Sequence, residues 1–162
     1  MTLGRKYVIL YYMTRQDITK IVKFCCKKLR LPIPKINIID EGMWVGTFRF
    51  TERGTIELDF FADRIAKTTK EWAYESVWKF LDYTPTKKWE YGFLIIAHEL
   101  SHYMQYSRHY CWLSKYMREV EKYMNSYKRF SLKKYQNLKA EANANKVALL
   151  LLKRAKKEGF KI

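Results

Sequence analysis

Residues 91–106 constrain the fold of this chain more strongly than any other part of the sequence. The stretch 93–97 is apolar without interruption, so a folded protein would bury it. Three polar residues, His98, Glu99 and His102, follow directly in the same predicted helix. Burying such groups without partners is costly. We therefore expect a buried helix over residues 91–106 that carries a polar site.

The residues from His98 to His102 fit the pattern H-E-x-x-H. On a helix, positions four apart share a face, so both imidazoles can reach one metal ion. Glu99 lies next to the first histidine, where it can polarise a metal-bound water molecule and accept its proton. The alternative is a surface helix whose two histidines are solvated or buried and bind no metal.

A catalytic zinc site generally needs a third protein ligand, and His109 is one candidate. It follows His98 by eleven positions and points along the same face, but it lies about 16 Å further along a straight helix. Residues 103–108 contain no Gly or Pro that would break the helix. We therefore expect His109 to be a surface or cleft residue that can contact substrate.

Glu141 is the stronger candidate for the third ligand. It lies at the edge of a helical stripe that faces the core and consists of Leu138, Ala142, Asn145, Leu149 and Leu152. No other acidic residue occurs between Glu121 and Glu158, and a carboxylate that points inward is explained if it meets a cation. Asn145 is the candidate for holding a ligand imidazole, or Glu141 itself, in place. The alternatives are a surface Glu141 paired with a lysine and an Asn145 with no such role.

The remaining periodicity predicts a single domain over residues 1–162. Residues 1–89 form its helix and sheet part, and residues 90–162 form a helical part with the metal ligands. The expected elements are strands at 6–13 and 35–40, a hairpin with its turn at 52–54, and helices starting at Thr14, at 71–81, along 113–127 and at about 131–157, closed by Gly159. Strands precede helices, so the predicted fold class is α+β.

The net charge of +16 is unevenly distributed along the chain. Residues 1–35 and 115–162 carry net charges of +8 and +10, whereas residues 36–114 carry −2. Basic N- and C-terminal flanks of this kind attract nucleic acid or another polyanion, with strong salt dependence. Solvated helix faces are the alternative interpretation.

The cysteines and the hydropathy indicate where the protein works. The chain has an odd number of cysteines, namely Cys25, Cys26 and Cys111, and no two of them have C-x-x-C spacing. This favours reduced thiols and a cytoplasmic location. No apolar run approaches the roughly 20 residues that a membrane helix needs, so we expect no membrane partner.

The segments LIIAHELSHYMQY and KAEANANKVALLLL resemble the ImmA/IrrE-type metalloproteases and, more broadly, the small gluzincins. The resemblance implies that His98, His102 and Glu141 bind Zn²⁺ and that Glu99 is the catalytic base. It also implies a zincin-like fold, with a small, mostly antiparallel sheet packed on the active-site helix. Members of that family cut regulators of transcription, which suits a basic protein that acts near DNA. SprT-like proteases, which use a third histidine, are a neighbouring possibility.

The function expected from these features is zinc-dependent hydrolysis of peptide bonds in a protein or peptide substrate. Four tyrosines are candidates for stabilising the oxyanion or contacting the substrate: Tyr103, Tyr106, Tyr110 and Tyr135. By analogy with zincins, the substrate would add to an edge strand at 55–61. Two alternatives stay open: a nucleic-acid-binding protein with a structural or degenerate zinc site, and a metal-dependent nuclease that uses His98, His102 and His109.

Overall fold

The structure is a computed structural model that describes residues 13–39, 46–50, 56–61, 83–108, 110–126 and 137–162. Four helices lie in these ranges: α1 (Arg15–Leu29), α2 (Lys88–Arg108), α3 (Tyr110–Ser126) and α4 (Lys139–Lys157). Three strands accompany them: β1 (Lys35–Ile39), β2 (Gly46–Phe50) and β3 (Ile56–Phe61). Within these ranges the chain therefore consists mainly of helices.

Helix α1 begins with the predicted capping box. The Thr14 hydroxyl accepts a hydrogen bond from the Asp17 amide at 3.1 Å, and the Asp17 carboxylate accepts one from the Thr14 amide at 2.9 Å. Without these two bonds, the backbone N–H groups of Thr14 and Asp17 would have no partner within the start of the helix. The apolar stripe of α1 is buried in the core, as its spacing predicts: Ile18, Ile21, Val22 and Cys25.

The three strands form a mixed sheet in the order β1-β3-β2. Strands β2 and β3 pair antiparallel, as the predicted hairpin requires, whereas β1 and β3 are parallel. Matching polar side chains explain why β1 lies beside β3. Lys35 donates to Glu57 at 2.7 Å, and the Asn37 amide donates to both Glu57 and Asp59 at 2.8 Å. These bonds satisfy two carboxylates that β3 buries on one face of the sheet.

The predicted fold class, α+β with a small, mostly antiparallel sheet packed on the helix at 91–106, is wrong. The described residues are mostly helical, and one of the two strand pairs is parallel. Helix α2 also packs more extensively against α4 and α1 than against the strands. The physical reason is the length of the apolar stripes, because each helix buries more apolar surface than a five- or six-residue strand can.

Helices α2 and α4 pack side by side in opposite directions. Glu90 at the start of α2 contacts Lys156 near the end of α4, and His98 in the middle contacts Asn145. Gln105 near the end of α2 reaches the carbonyl of Ala140 at the start of α4. This antiparallel register determines which α4 side chains lie opposite the two histidines.

Helix α4 starts and ends at well-defined points. It begins at Lys139 rather than near residue 131, because Leu138 has an extended ψ of 137°. At the other end Gly159 adopts a φ of 68°, as expected of the residue that closes the helix. The amides of Gly159 and Phe160 donate to the carbonyls of Lys156 and Ala155, which satisfies two carbonyls of the last turn.

Several sequence predictions concern residues outside the described ranges: the strand at 6–13 except its last residue, the hairpin turn at 52–54 and the helix at 71–81. Among the helices that the structure describes, none is both long and apolar enough to span a membrane. Cys25 and Cys26 are free, buried thiols, as expected.

Candidate metal centre

His98 and His102 lie one turn apart on α2 and bring their Nε2 atoms within 3.0 Å of each other. Their rings meet edge to face, with centroids 4.7 Å apart. The helix before them is buried through Phe93, Leu94 and Ala97, so α2 cannot rotate without exposing apolar surface. The apolar run therefore holds both imidazoles toward the same point.

Glu141 reaches that point from α4. Its Oε2 lies 3.3 Å from His98 Nε2, and its Oε1 lies 3.4 Å from His102 Nε2. Its side chain is only 3% exposed. These three residues form a cluster whose ligand atoms all lie within 4.8 Å of one another. Glu141, which the sequence predicts as the third ligand, thus lies close to both histidines.

The other nitrogen of each imidazole contacts an amide oxygen. His98 Nδ1 lies 2.8 Å from Asn145 Oδ1, and His102 Nδ1 lies 2.9 Å from Gln105 Oε1. An amide oxygen only accepts, so each Nδ1 must carry the proton and donate. In a neutral imidazole the Nε2 then has a free lone pair that points at Glu141.

The orientation of the Gln105 amide follows from its own partners. Gln105 Nε2 donates to the Ala140 carbonyl at 3.1 Å and to Asn143 Oδ1 at 3.0 Å. With both partners of its NH₂ group being acceptors, the oxygen must face His102. The tautomer of His102 is therefore determined by a chain of hydrogen bonds that ends on α4.

Tyr116 of α3 completes the contacts of Glu141. Its hydroxyl donates to Glu141 Oε1 at 2.6 Å. Its ring stacks on His102, with centroids 6.1 Å apart and planes 14° from parallel. Tyr116 thus contacts the carboxylate of Glu141 and the imidazole of His102, both candidate metal ligands, at the same time.

The electrostatics of the cluster call for positive charge. Burial raises the pKa of Glu141, but hydrogen bonds and charge from His102 and His98 outweigh it, so the pKa is lowered well below its usual range. Burial lowers the pKa of His102, but hydrogen bonding and charge from Glu141 outweigh it, so that pKa is raised. The carboxylate is therefore stable as an anion only beside a cation, which can be a proton on imidazole or a metal ion.

Glu99 lies next to His98 on α2 and is half-buried. Burial raises the pKa of Glu99, and the charge of Glu141 raises it further, while the charges of His98 and His102 lower it. The charges of His98, His102 and Glu141 therefore affect Glu99, but Glu99 does not belong to the three-residue cluster.

The donor set fits a zinc ion. Zinc bonds of about 2.0–2.2 Å at tetrahedral angles separate ligand atoms by about 3.4 Å. The two Nε2 atoms lie 3.0 Å apart, and each lies 3.3–3.4 Å from a different oxygen of Glu141, close to that value. With one ligand atom taken from each residue, all three atoms lie within 4.8 Å of one another. Two unprotonated Nε2 atoms facing each other and a carboxylate repel unless a cation lies among them. Three protein ligands also leave a fourth position for water or substrate.

The other predicted site residues have varied surroundings. Tyr103 is only 5% exposed and belongs to the hydrophobic core. Tyr106 is half-buried on α2. His109 and Tyr135 lie outside the described residues, as does the side chain of Tyr110. Helix α2 continues unbroken to Arg108, as the argument against His109 requires.

The predicted substrate position at residues 55–61 is wrong. Strand β3 is the middle strand of the sheet and pairs with β1 on one side and β2 on the other. It has no free edge to which an extended peptide could add. The bonds from Lys35 and Asn37 described above explain why this strand is covered.

The sequence did not predict Gln105 and Tyr116 as residues of the candidate site. Gln105 follows His102 by three positions, so it lies on the same helix face, and this spacing was a usable signal. Tyr116 lies between Leu113 and Val120 on a stripe that reads simply as apolar, so the sequence contains no comparable signal for it.

The chain matches no protein family model, no curated protein and no solved structure. The resemblance to ImmA/IrrE-type metalloproteases therefore stays a prediction that depends on the two quoted segments.

Proposed function

We propose that this protein is a zinc-dependent metallopeptidase that hydrolyses peptide bonds in a protein substrate. The observation that carries the proposal is the meeting of His98, His102 and Glu141 at one point, with both histidines held in the tautomer that binds metal through Nε2. When bound there, zinc would polarise the scissile carbonyl and lower the pKa of a water molecule toward neutrality.

The side chains around the cluster have distinct roles in this proposal. Asn145 and Gln105 orient the imidazoles through Nδ1, and Tyr116 orients Glu141. Glu99 accepts the proton of the attacking water and donates it to the leaving amine. Leu94, which is fully buried one turn before His98 on the same helix face, excludes bulk water from that side of the site.

The first experiment measures bound zinc in the purified protein. We expect about one zinc ion per wild-type chain and a large loss in His98→Ala and Glu141→Ala. Glu121→Ala is the matched control, because Glu121 is exposed on α3 and should not affect metal content. Full zinc retention in both ligand variants would contradict the assignment.

The second experiment tests hydrolysis with Glu99→Gln. We expect the variant to keep its zinc and to lose peptide-cleaving activity by about 10²-fold or more, since it lacks the proton acceptor. Full activity with zinc present would exclude Glu99 as the base.

Bound zinc in a wild type that cleaves no protein would instead indicate a structural site. Cleavage of nucleic acid that requires His109 but not Glu141 would indicate a nuclease.

We further propose that the protein works in the cytoplasm, where thiols stay reduced. The free thiols of Cys25 and Cys26 support this location. Cell fractionation of the tagged chain tests it, and recovery from an oxidising compartment would contradict it.

A further inference from the structure

The exposed side of α4 carries a row of lysines. Residues at intervals of three or four share one helix face. On α4 such a series consists of exposed side chains only: Lys139, Asn143, Lys146, Leu150, Lys153 and Lys157. We call the four lysines among them the lysine row. No acidic residue interrupts the series, because Glu141 points into the metal centre.

The lysine row differs from the other cations of the same helix. Arg154 donates to Glu158 at 2.9 Å, and Lys156 donates to Glu90 at 2.9 Å, so each has an internal counter-charge. The four lysines of the row make no hydrogen bond or ion pair with any residue in the part of the chain that the structure describes. Their charges are therefore available to an external partner.

The dimensions of the row fit a long polyanion. Eighteen positions separate Lys139 from Lys157, which corresponds to about 27 Å at the rise of an α-helix. Exposed Lys20, Lys23 and Lys27 form a shorter row on α1, which spans about 10 Å. Affinity for nucleic acid grows with the number of phosphates neutralised along one path, so the longer row is the better binding surface.

We propose that the lysine row of α4 binds the phosphate backbone of nucleic acid without sequence preference. Lysine supplies point charges, which suit phosphates and carry no base information by themselves. The net charge of +16 favours such a partner over an acidic protein of limited charge. This inference goes beyond peptide hydrolysis and does not depend on it.

The row lies on the side of α4 away from the metal centre, because about 200° of helix rotation separates Lys139 from the buried Glu141. Asn143, within the same exposed series, accepts a hydrogen bond from Gln105, and Gln105 contacts His102. Two side chains thus separate the nucleic-acid surface from a metal ligand.

The test measures binding of a fluorescent DNA duplex of about 20 base pairs by anisotropy, across about 0.05–0.2 M salt. The variant combines Lys146→Gln, Lys153→Gln and Lys157→Gln. The matched control combines Lys20→Gln, Lys23→Gln and Lys27→Gln, which removes the same charge from another helix. Glutamine has a helix propensity close to that of lysine, so both should fold, and circular dichroism checks this.

We expect the α4 variant to bind about 100-fold more weakly near 0.1 M salt and to lower the salt slope by about 2.7. The α1 control should change affinity by less than about 3-fold, and polyglutamate should not displace the duplex. An equal loss in both variants, unchanged binding in the α4 variant, or no binding by the wild type would overturn the proposal. Displacement by polyglutamate would indicate an acidic protein partner instead. Binding is measured without any hydrolysis, so this result is independent of the peptidase test.

Discussion

Two buried carboxylates occupy opposite ends of the contact between α2 and α4, and their surroundings differ. Glu90 accepts hydrogen bonds from Tyr83, Lys156 and both the amide and the hydroxyl of Thr86. Glu141 accepts a hydrogen bond from one hydroxyl and faces the Nε2 atoms of two imidazoles, which donate to it only if they take up a second proton. Glu90 is thus neutralised by the protein, whereas Glu141 lacks a permanent cation.

This difference separates a structural carboxylate, Glu90, from a candidate metal ligand, Glu141. The ammonium of Lys156 balances Glu90, so the fully buried Glu90 joins the start of α2 to the end of α4. The charge of Glu141 is balanced only if imidazole takes up a proton or the site takes up a metal ion. Burial alone, which is nearly complete for both, does not distinguish the two roles.

The largest expected effect comes from exchanging these carboxylates for amides one at a time. Glu141→Gln should weaken zinc affinity by more than about 100-fold, because it removes a charged ligand rather than a group that orients one. Glu90→Gln should leave zinc affinity within about 3-fold of the wild type. Competition with a chromophoric chelator measures both. Similar losses in the two variants would remove the distinction between the carboxylates.

Tyr116→Phe should weaken zinc affinity by about 10-fold. The variant keeps the ring that stacks on His102 and loses only the hydrogen bond to Glu141 Oε1. The Co²⁺-substituted protein should also show a shifted absorption spectrum, which a purely structural role would not produce. Tyr123→Phe on the same helix serves as the control, since Tyr123 is buried two turns further along. Equal effects of both substitutions would contradict a specific role for Tyr116.

Glu90→Gln should lower the free energy of unfolding by about 1–2 kcal/mol, since it weakens charge-assisted bonds from Lys156 and Tyr83. Urea denaturation of the metal-free protein measures this, with Glu158→Gln as the comparison. Glu158 is exposed and pairs with Lys28 and Arg154, so its removal should have a smaller effect. A larger effect at Glu158 would contradict the structural role of Glu90.

The smallest expected effect is the pH dependence of the difference in unfolding free energy between the wild type and Glu90→Gln. Burial raises the pKa of Glu90, but hydrogen bonds from Lys156, Tyr83 and Thr86 outweigh it, so the pKa is lowered from its ordinary 4.5. A lowered native pKa stabilises the fold above the ordinary pKa, and this stabilisation is lost as the pH falls through the native pKa.

The stability difference between the metal-free wild type and Glu90→Gln should therefore be constant near neutral pH and shrink below about 4.5. Glu141 is present in both proteins, so its contribution to the pH dependence of the unfolding free energy cancels in the difference. Urea denaturation between about pH 3 and pH 6 measures it. A difference that grows as the pH falls would contradict the lowered pKa.

Local features of the site were predictable from the sequence, and nonlocal ones were only partly so. The i, i+4 spacing of His98 and His102 determines a shared face, because helix geometry is the same in every protein. Glu141 and Asn145 were identifiable as polar residues on an apolar stripe. Tyr116 was not, because a tyrosine on an apolar stripe looks like an ordinary core residue until its hydroxyl is located.

The fold class was less predictable than the site. Alternating residues identified β2 and β3 and their antiparallel pairing, but the position of β1 depends on Lys35 and Asn37 meeting Glu57 and Asp59. Such cross-strand matches involve residues about 20 positions apart, and short apolar strands do not specify their neighbours. This is also why the expected free edge at β3 is covered.

By itself the sequence determined the elements with strong local signals: the capping box at Thr14, the paired histidines of α2 and the closure of α4 at Gly159. Backbone geometry within one or two turns is enough to specify these features. The tertiary structure decided the antiparallel register of α2 and α4, which brings Glu141 to the histidines and Lys156 to Glu90. That register arises because two long apolar faces bury each other, and the energy of that burial depends on the whole interface rather than on any single residue.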